Sequence, residues 1–103
     1  MNKYILQGRK AIPVDRETYL TQQEKQDHTV AKSTIGNYLV STVFLGLDHQ
    51  CKDNAPPLLF ETMVFGDGPL DERLERCTTW EEAEVMHEKM CEEVIAQENK
   101  TGV

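Results

Sequence analysis

The sequence predicts an α+β domain: a small antiparallel sheet of three to four strands, with a C-terminal amphipathic helix packed on one face and a weaker N-terminal helix. Two segments rich in β-branched and aromatic residues, Ser41 to His49 and Leu58 to Gly66, supply the central strands. A capping-box pattern, Thr79-Trp-Glu-Glu82, opens a long run of helical periodicity after them. At 103 residues the chain makes one domain, 1–103, with a single modest core.

Taken in order, Tyr4 to Val14 is the first organised stretch. Gly8 splits it into two short apolar pieces and Pro13 closes it, which suggests a small hairpin or an edge strand. Asp15 can accept hydrogen bonds from exposed amides and cap a helix to about Thr29, poor in apolar residues after Tyr19 and Leu20 and therefore superficial. Ile35-Gly36-Asn37 reads as a turn, or the tail of a short strand, before a long strand from Tyr38 to Leu47. Pro56-Pro57 cannot donate to a ladder, so the next strand starts near Leu58, and Gly66-Asp-Gly-Pro69 closes it. The last helix runs from Trp80 to about Glu98. Trp80, Ala83, His87, Met90, Cys91 and Val94 form its apolar stripe, and Glu81, Glu84, Glu88 and Glu92 form another.

Composition excludes several classes. A hydrophobic content of 39% with 28% charged residues is ordinary for a globular protein, and no apolar run approaches a membrane span or a secretory signal core. The expected location is the cytoplasm, with no membrane partner. Cys51, Cys77 and Cys91 are an odd set without CxxC spacing, which suits free thiols in a reducing compartment. The net charge of -7, without a basic cluster beyond Arg9-Lys10, disfavours nucleic acid as a partner. Glu81 to Lys100 carries seven glutamates against Lys89 and Lys100. That distribution admits nucleic-acid mimicry, but any solvated amphipathic helix also shows it.

The combination of Tyr38 to His49, Pro56-Pro-Leu-Leu-Phe-Glu-Thr-Met-Val-Phe-Gly66, Arg76 and Thr79-Trp-Glu-Glu-Ala83 with His87 resembles a family of small uncharacterised proteins of tailed bacteriophages and prophages. The resemblance covers roughly the last two thirds of the chain, and Tyr4 to Pro13 more loosely. Cys51-Lys52 stands where relatives are expected to carry glycine and Cys77 where an aromatic is usual, and the first helix lacks their tryptophans. The resemblance implies phage biology in the bacterial host cytoplasm, and no mechanism.

If the two long strands form a hairpin, pairing Leu47 with Leu58 sets Val43 opposite Thr62 and Leu45 opposite Phe60. The other face then carries Val40, Thr42, Phe44, Leu59, Glu61, Met63 and Phe65. Two apolar faces exceed what one helix covers, so Val40, Thr42, Phe44, Met63 and Phe65 are expected to form an interface with a protein partner or in a homodimer. The competing reading closes that face with the N-terminal segment and the Leu70 to Cys77 connection.

The chemical candidates are Asp48, His49, Glu61 and His87, with Arg76 and Cys91 nearby. An Asp-His pair at a strand end with a second carboxylate has the residue types for acid-base chemistry. The plainer reading has Asp48 capping a turn, His49 bonding loop carbonyls and Glu61 paired with Arg76. His87 and Cys91 have metal-ligand spacing, yet a lone His-x-x-x-Cys on an apolar stripe is more often a hydrogen-bonded core histidine beside a small thiol. No cofactor motif such as a P-loop or dinucleotide fingerprint is present, so neither metal nor cofactor is expected. The expected function is a non-enzymatic phage accessory protein that binds a host or phage protein. A small enzyme or ligand-binding protein using Asp48, His49, Glu61 and His87 is the alternative.

Overall fold

The computed structural model of the chain describes residues 2–101. A first hairpin joins β1 (Lys3–Gln7) to β2 (Lys10–Val14) across a turn in which Gly8 takes φ +65°, a conformation that favours glycine. Asp15 caps α1 (Arg16–Gln22), its Oδ1 accepting from the Thr18 amide at 2.8 Å. The helix is shorter than its polar sequence suggested. It tightens into a 3-10 turn over Gln23–Lys25, and Thr29 already belongs to the sheet. No residue of α1 is buried, so tertiary packing supplies little to prolong it.

The main sheet is an antiparallel meander, β3 (Thr29–Ile35), β4 (Tyr38–Phe44), β5 (Phe60–Gly66) and β6 (Leu74–Cys77), in that spatial order. The Gly36-Asn37 turn, with Gly36 at φ +57°, joins β3 to β4. β4 ends at Phe44 rather than Leu47. Gly46 turns to φ +79°, and the following residues meet β1 instead, with the Tyr4 amide donating to the Gly46 carbonyl at 2.7 Å. Further along the same edge of β1 stands Gln26, whose side-chain amide both donates to and accepts from the Leu6 backbone.

The register differs from the sequence expectation by one residue. Phe44 faces Phe60, Thr42 faces Thr62, Val40 faces Val64 and Val43 faces Glu61. Because successive side chains alternate between faces, that single step sends the even-numbered residues of both strands to one side and the odd-numbered to the other.

The even side is covered by α2 (Trp80–Thr101), which buries Ala83, Met86, His87, Met90 and Val94. Its capping box is formed as the sequence suggests: the Glu82 amide donates to Thr79 Oγ1 at 3.1 Å, and the Thr79 amide donates to Glu82 Oε1 at 3.0 Å. The molecule is a slab of 52 × 30 × 21 Å with a radius of gyration of 15.2 Å. Compact chains of this length have about 13 Å, so the excess reflects elongation along the 52 Å axis.

Candidate functional site

The covered face is built as three rungs. Phe44 and Phe60 pack with Ala83, and Val40 and Val64 pack with Met90 and Val94. Between these apolar clusters lies a polar rung, Thr42 opposite Thr62, both fully buried, with His87 above them at 6% exposure. Thr42 Oγ1 is 2.7 Å from His87 Nδ1 and 2.5 Å from Thr62 Oγ1. Ser33 Oγ, from β3, lies 2.9 Å from His87 Nε2. Both ring nitrogens therefore have hydroxyl partners, as buried polar atoms require. Burial pushes the imidazole pKa below its ordinary value, against a smaller opposing effect of Glu88. The ring is thus held neutral in the core. Ser33 and Thr62 were missed as partners by sequence reasoning. The alternation Ala31, Ser33, Ile35 is the signal for Ser33, obscured by the polar Lys32 and Thr34 between them.

The four chemical candidates do not converge. His87 lies on the helix-covered face, whereas Glu61 lies on the opposite face, where Arg76 Nε donates to its Oε2 at 3.0 Å. Asp48 Oδ1 accepts from the Gln50 amide at 2.8 Å and the Leu58 amide at 3.0 Å, closing the loop after β4. The His49 amide donates to the Leu58 carbonyl at 3.1 Å. Asp48 and His49 belong to loop closure at the sheet end, and the sheet itself separates Glu61 from His87. Among the described residues no group of three or more His, Cys, Asp or Glu side chains is placed to hold a metal ion.

The expected interface set is also divided. Val40, Thr42 and Phe44 lie in the core under α2, at 0, 0 and 2% exposure, while Met63 and Phe65 lie on the other face. The one-residue register step is the physical reason. The odd-numbered face carries Leu39, Ser41, Val43, Glu61, Met63 and Phe65, extended by Leu74 and Arg76 of β6. These side chains are half-buried or exposed, Phe65 at 46%. Among the described residues α2 packs on the four strands from the even-numbered side, where Leu6 of β1 joins Phe44 and Phe60, and the odd-numbered face stays partly open.

A second concavity lies between β6 and α2, a shallow groove of about 490 Å³ lined by Glu75, Glu81, Glu82, Val85, Met86 and Lys89. Met86 forms a buried part of its wall and Val85 is half exposed. Sequence reasoning passed over both, because Met86 sits one position off the stripe of Ala83, His87 and Met90 and Val85 lies on the opposite side of the helix. At the far end of β6, Cys77 is half-buried, and burial, reinforced by the Glu82 carboxylate, raises its thiol pKa to about 11.

Comparison with known protein families, curated proteins and solved structures finds no match to this chain. No helix among the described residues is long and apolar enough to cross a membrane.

Proposed function

We propose that the chain is a non-enzymatic binding protein that engages another protein, or a second copy of itself, through the uncovered face of its sheet. The observation that carries this reading is the apolar surface of Leu39, Val43, Met63, Phe65 and Leu74, on the sheet face opposite α2, which stays partly exposed among the described residues. Contiguous apolar surface, here partly exposed with Phe65 at 46%, marks interaction sites, and the Glu61–Arg76 ion pair provides a polar element that fixes orientation. Dispersal of Asp48, His49, Glu61 and His87 leaves a catalytic reading without a shared site. The resemblance to tailed-phage proteins favours a partner in the infected bacterium, either a phage protein or a host protein of physiology or defence.

The test compares Met63→Lys with the parent in light scattering and in affinity capture from bacterial lysate, with circular dichroism as the folding control. The expected outcome is loss of dimerisation or of the captured partner, with an unchanged melt. A parent that is monomeric and captures nothing specific, or a Met63→Lys variant that retains full binding, overturns the reading.

A further inference from the structure

The free edge of β6 borders both the uncovered face and the groove against α2. Among the described residues β6 is the last strand of the sheet and pairs with β5 alone. Leu74 and Arg76 pair across to Met63 and Glu61 on the uncovered face, whereas Glu75 lines the groove. The opposite wall is the helix face of Glu81, Val85 and Lys89 with Glu82 and Met86, residues spaced by four and therefore aligned along one side of α2. Arg73 spans one end, Nη2 lying 3.3 Å from both Glu75 and Glu93. The site thus offers the outer edge of β6, on which Arg73 Nη1 already donates to the Leu74 carbonyl at 3.2 Å, an apolar wall, and a rim with three carboxylates against Lys89 and Arg73.

We infer that β6 and α2 together receive an extended peptide segment of a partner protein, added as a fifth strand, with an apolar side chain against Val85 and Met86 flanked by basic side chains. Strand addition at an edge gives affinity through main-chain hydrogen bonds and specificity through alternate side chains. A strand laid beside β6 directs every second side chain into the groove and the others over Leu74, continuing the uncovered face. The acidic rim selects Lys or Arg at the groove positions on either side of the apolar anchor. This deepens the proposed binding function by naming the kind of segment taken, and it rests on that reading only for the identity of the sheet as a docking surface.

The probe is a fluorescein-labelled peptide, acetyl-Lys-Val-Leu-Val-Arg-amide, whose first, third and fifth side chains share the groove side. Anisotropy with the full chain is compared for this peptide, for the analogue with glutamate at both basic positions, and for one N-methylated at the amides meant for β6. The expected result is at least tenfold weaker binding for each analogue, at least tenfold loss in Val85→Arg, and weakening with added salt. Val85 is 51% exposed, so Val85→Arg is expected to keep the parent melt; Glu81→Lys serves as a second groove variant. Equal binding of the basic and acidic peptides, or indifference to N-methylation, overturns the inference. A mass of two chains that Val85→Arg returns to one assigns the groove to a second copy and also overturns it. Loss of partner capture in Met63→Lys beside a failed peptide assay would remove the groove inference and leave the sheet-face function standing.

Discussion

Thr42→Val is the sharpest test of the polar rung, because it keeps the shape of the side chain and deletes one hydroxyl. Thr42 Oγ1 is the hydroxyl partner of both His87 Nδ1 and Thr62 Oγ1, so two buried polar atoms lose their bonds together. Each unsatisfied buried group costs about 1–3 kcal/mol, while the added methyl contact returns roughly 1 kcal/mol. The net loss is therefore roughly 1–5 kcal/mol, a sizeable share of the 5–15 kcal/mol or so that holds a domain of this size. At about 4–8 °C per kcal/mol, the melting temperature falls by roughly 4–40 °C. Thr42→Ser, which keeps the hydroxyl, loses about 1 kcal/mol for the missing methyl group. Thr42→Val with Thr62→Val leaves only the His87 nitrogen orphaned and is less destabilised than the sum of its parts. The assay is calorimetry with urea titration near pH 7.5, where His87 is neutral. A Thr42→Val melt within about 3 °C of the parent, or simple additivity in the double variant, would refute the rung as a connected network.

Burial lowers the folded-state pKa of His87 below its ordinary 6.5, so the unfolded chain takes up its proton first as pH falls. The stability contributed by the neutral ring is complete above that ordinary value, declines as pH drops toward the folded-state pKa, and is unchanged by pH below it; urea midpoints from pH 8 to 5 should show the decline, and His87→Gln should flatten it. Trp80→Ala should lower stability by about 3 kcal/mol, since the half-buried ring packs edge-on against Phe60 at 6.2 Å under the Arg9 guanidinium; a melt unchanged within a few degrees would show that the start of α2 is not anchored there. Phe44→Glu should unfold the domain, because Phe44 is 2% exposed beneath α2; a folded variant in circular dichroism would return that side chain to the surface. Iodoacetamide at pH 8 should label the exposed Cys51 well before Cys77, whose pKa near 11 keeps it protonated; equal rates by peptide mass mapping would contradict the buried setting.

The elements legible in the sequence were those with local signals. The capping box at Thr79 and Glu82, the Asp15 cap, the Gly8 hairpin and the two central strands all declare themselves through neighbouring residues. The short edge strands were not legible. Thr29–Ile35 mixes Lys32, Ser33 and Thr34 into a weak pattern, and Leu74-Glu-Arg-Cys77 has only four residues, so tertiary pairing rather than propensity makes them strands. Of the chemical candidates, the Glu61–Arg76 pair and the Asp48 loop cap were readable as ordinary structural contacts. The Ser33–His87–Thr42–Thr62 chain was not, because it draws on three strands and a helix.

Register was the least legible feature, and it decides which residues meet water. Polar-apolar alternation cannot fix it here, since Val43, Met63 and Phe65 on the odd face are as apolar as Val40, Val64 and Phe60 on the even one. A slip by one residue would exchange the faces, and a slip by two would set Thr42 beside an apolar side chain beneath the helix. The polar rung supplies the discrimination that hydrophobicity lacks. In the native register both threonines and both nitrogens of His87 are paired; after a two-residue slip of β4 against β5, the Thr42–Thr62 contact is broken and the helix cannot match both hydroxyls at once. With each orphaned group costing about 1–3 kcal/mol, one polar layer outweighs the small difference in apolar burial between alternative registers. The sheet can therefore carry an apolar outer face without losing a unique fold.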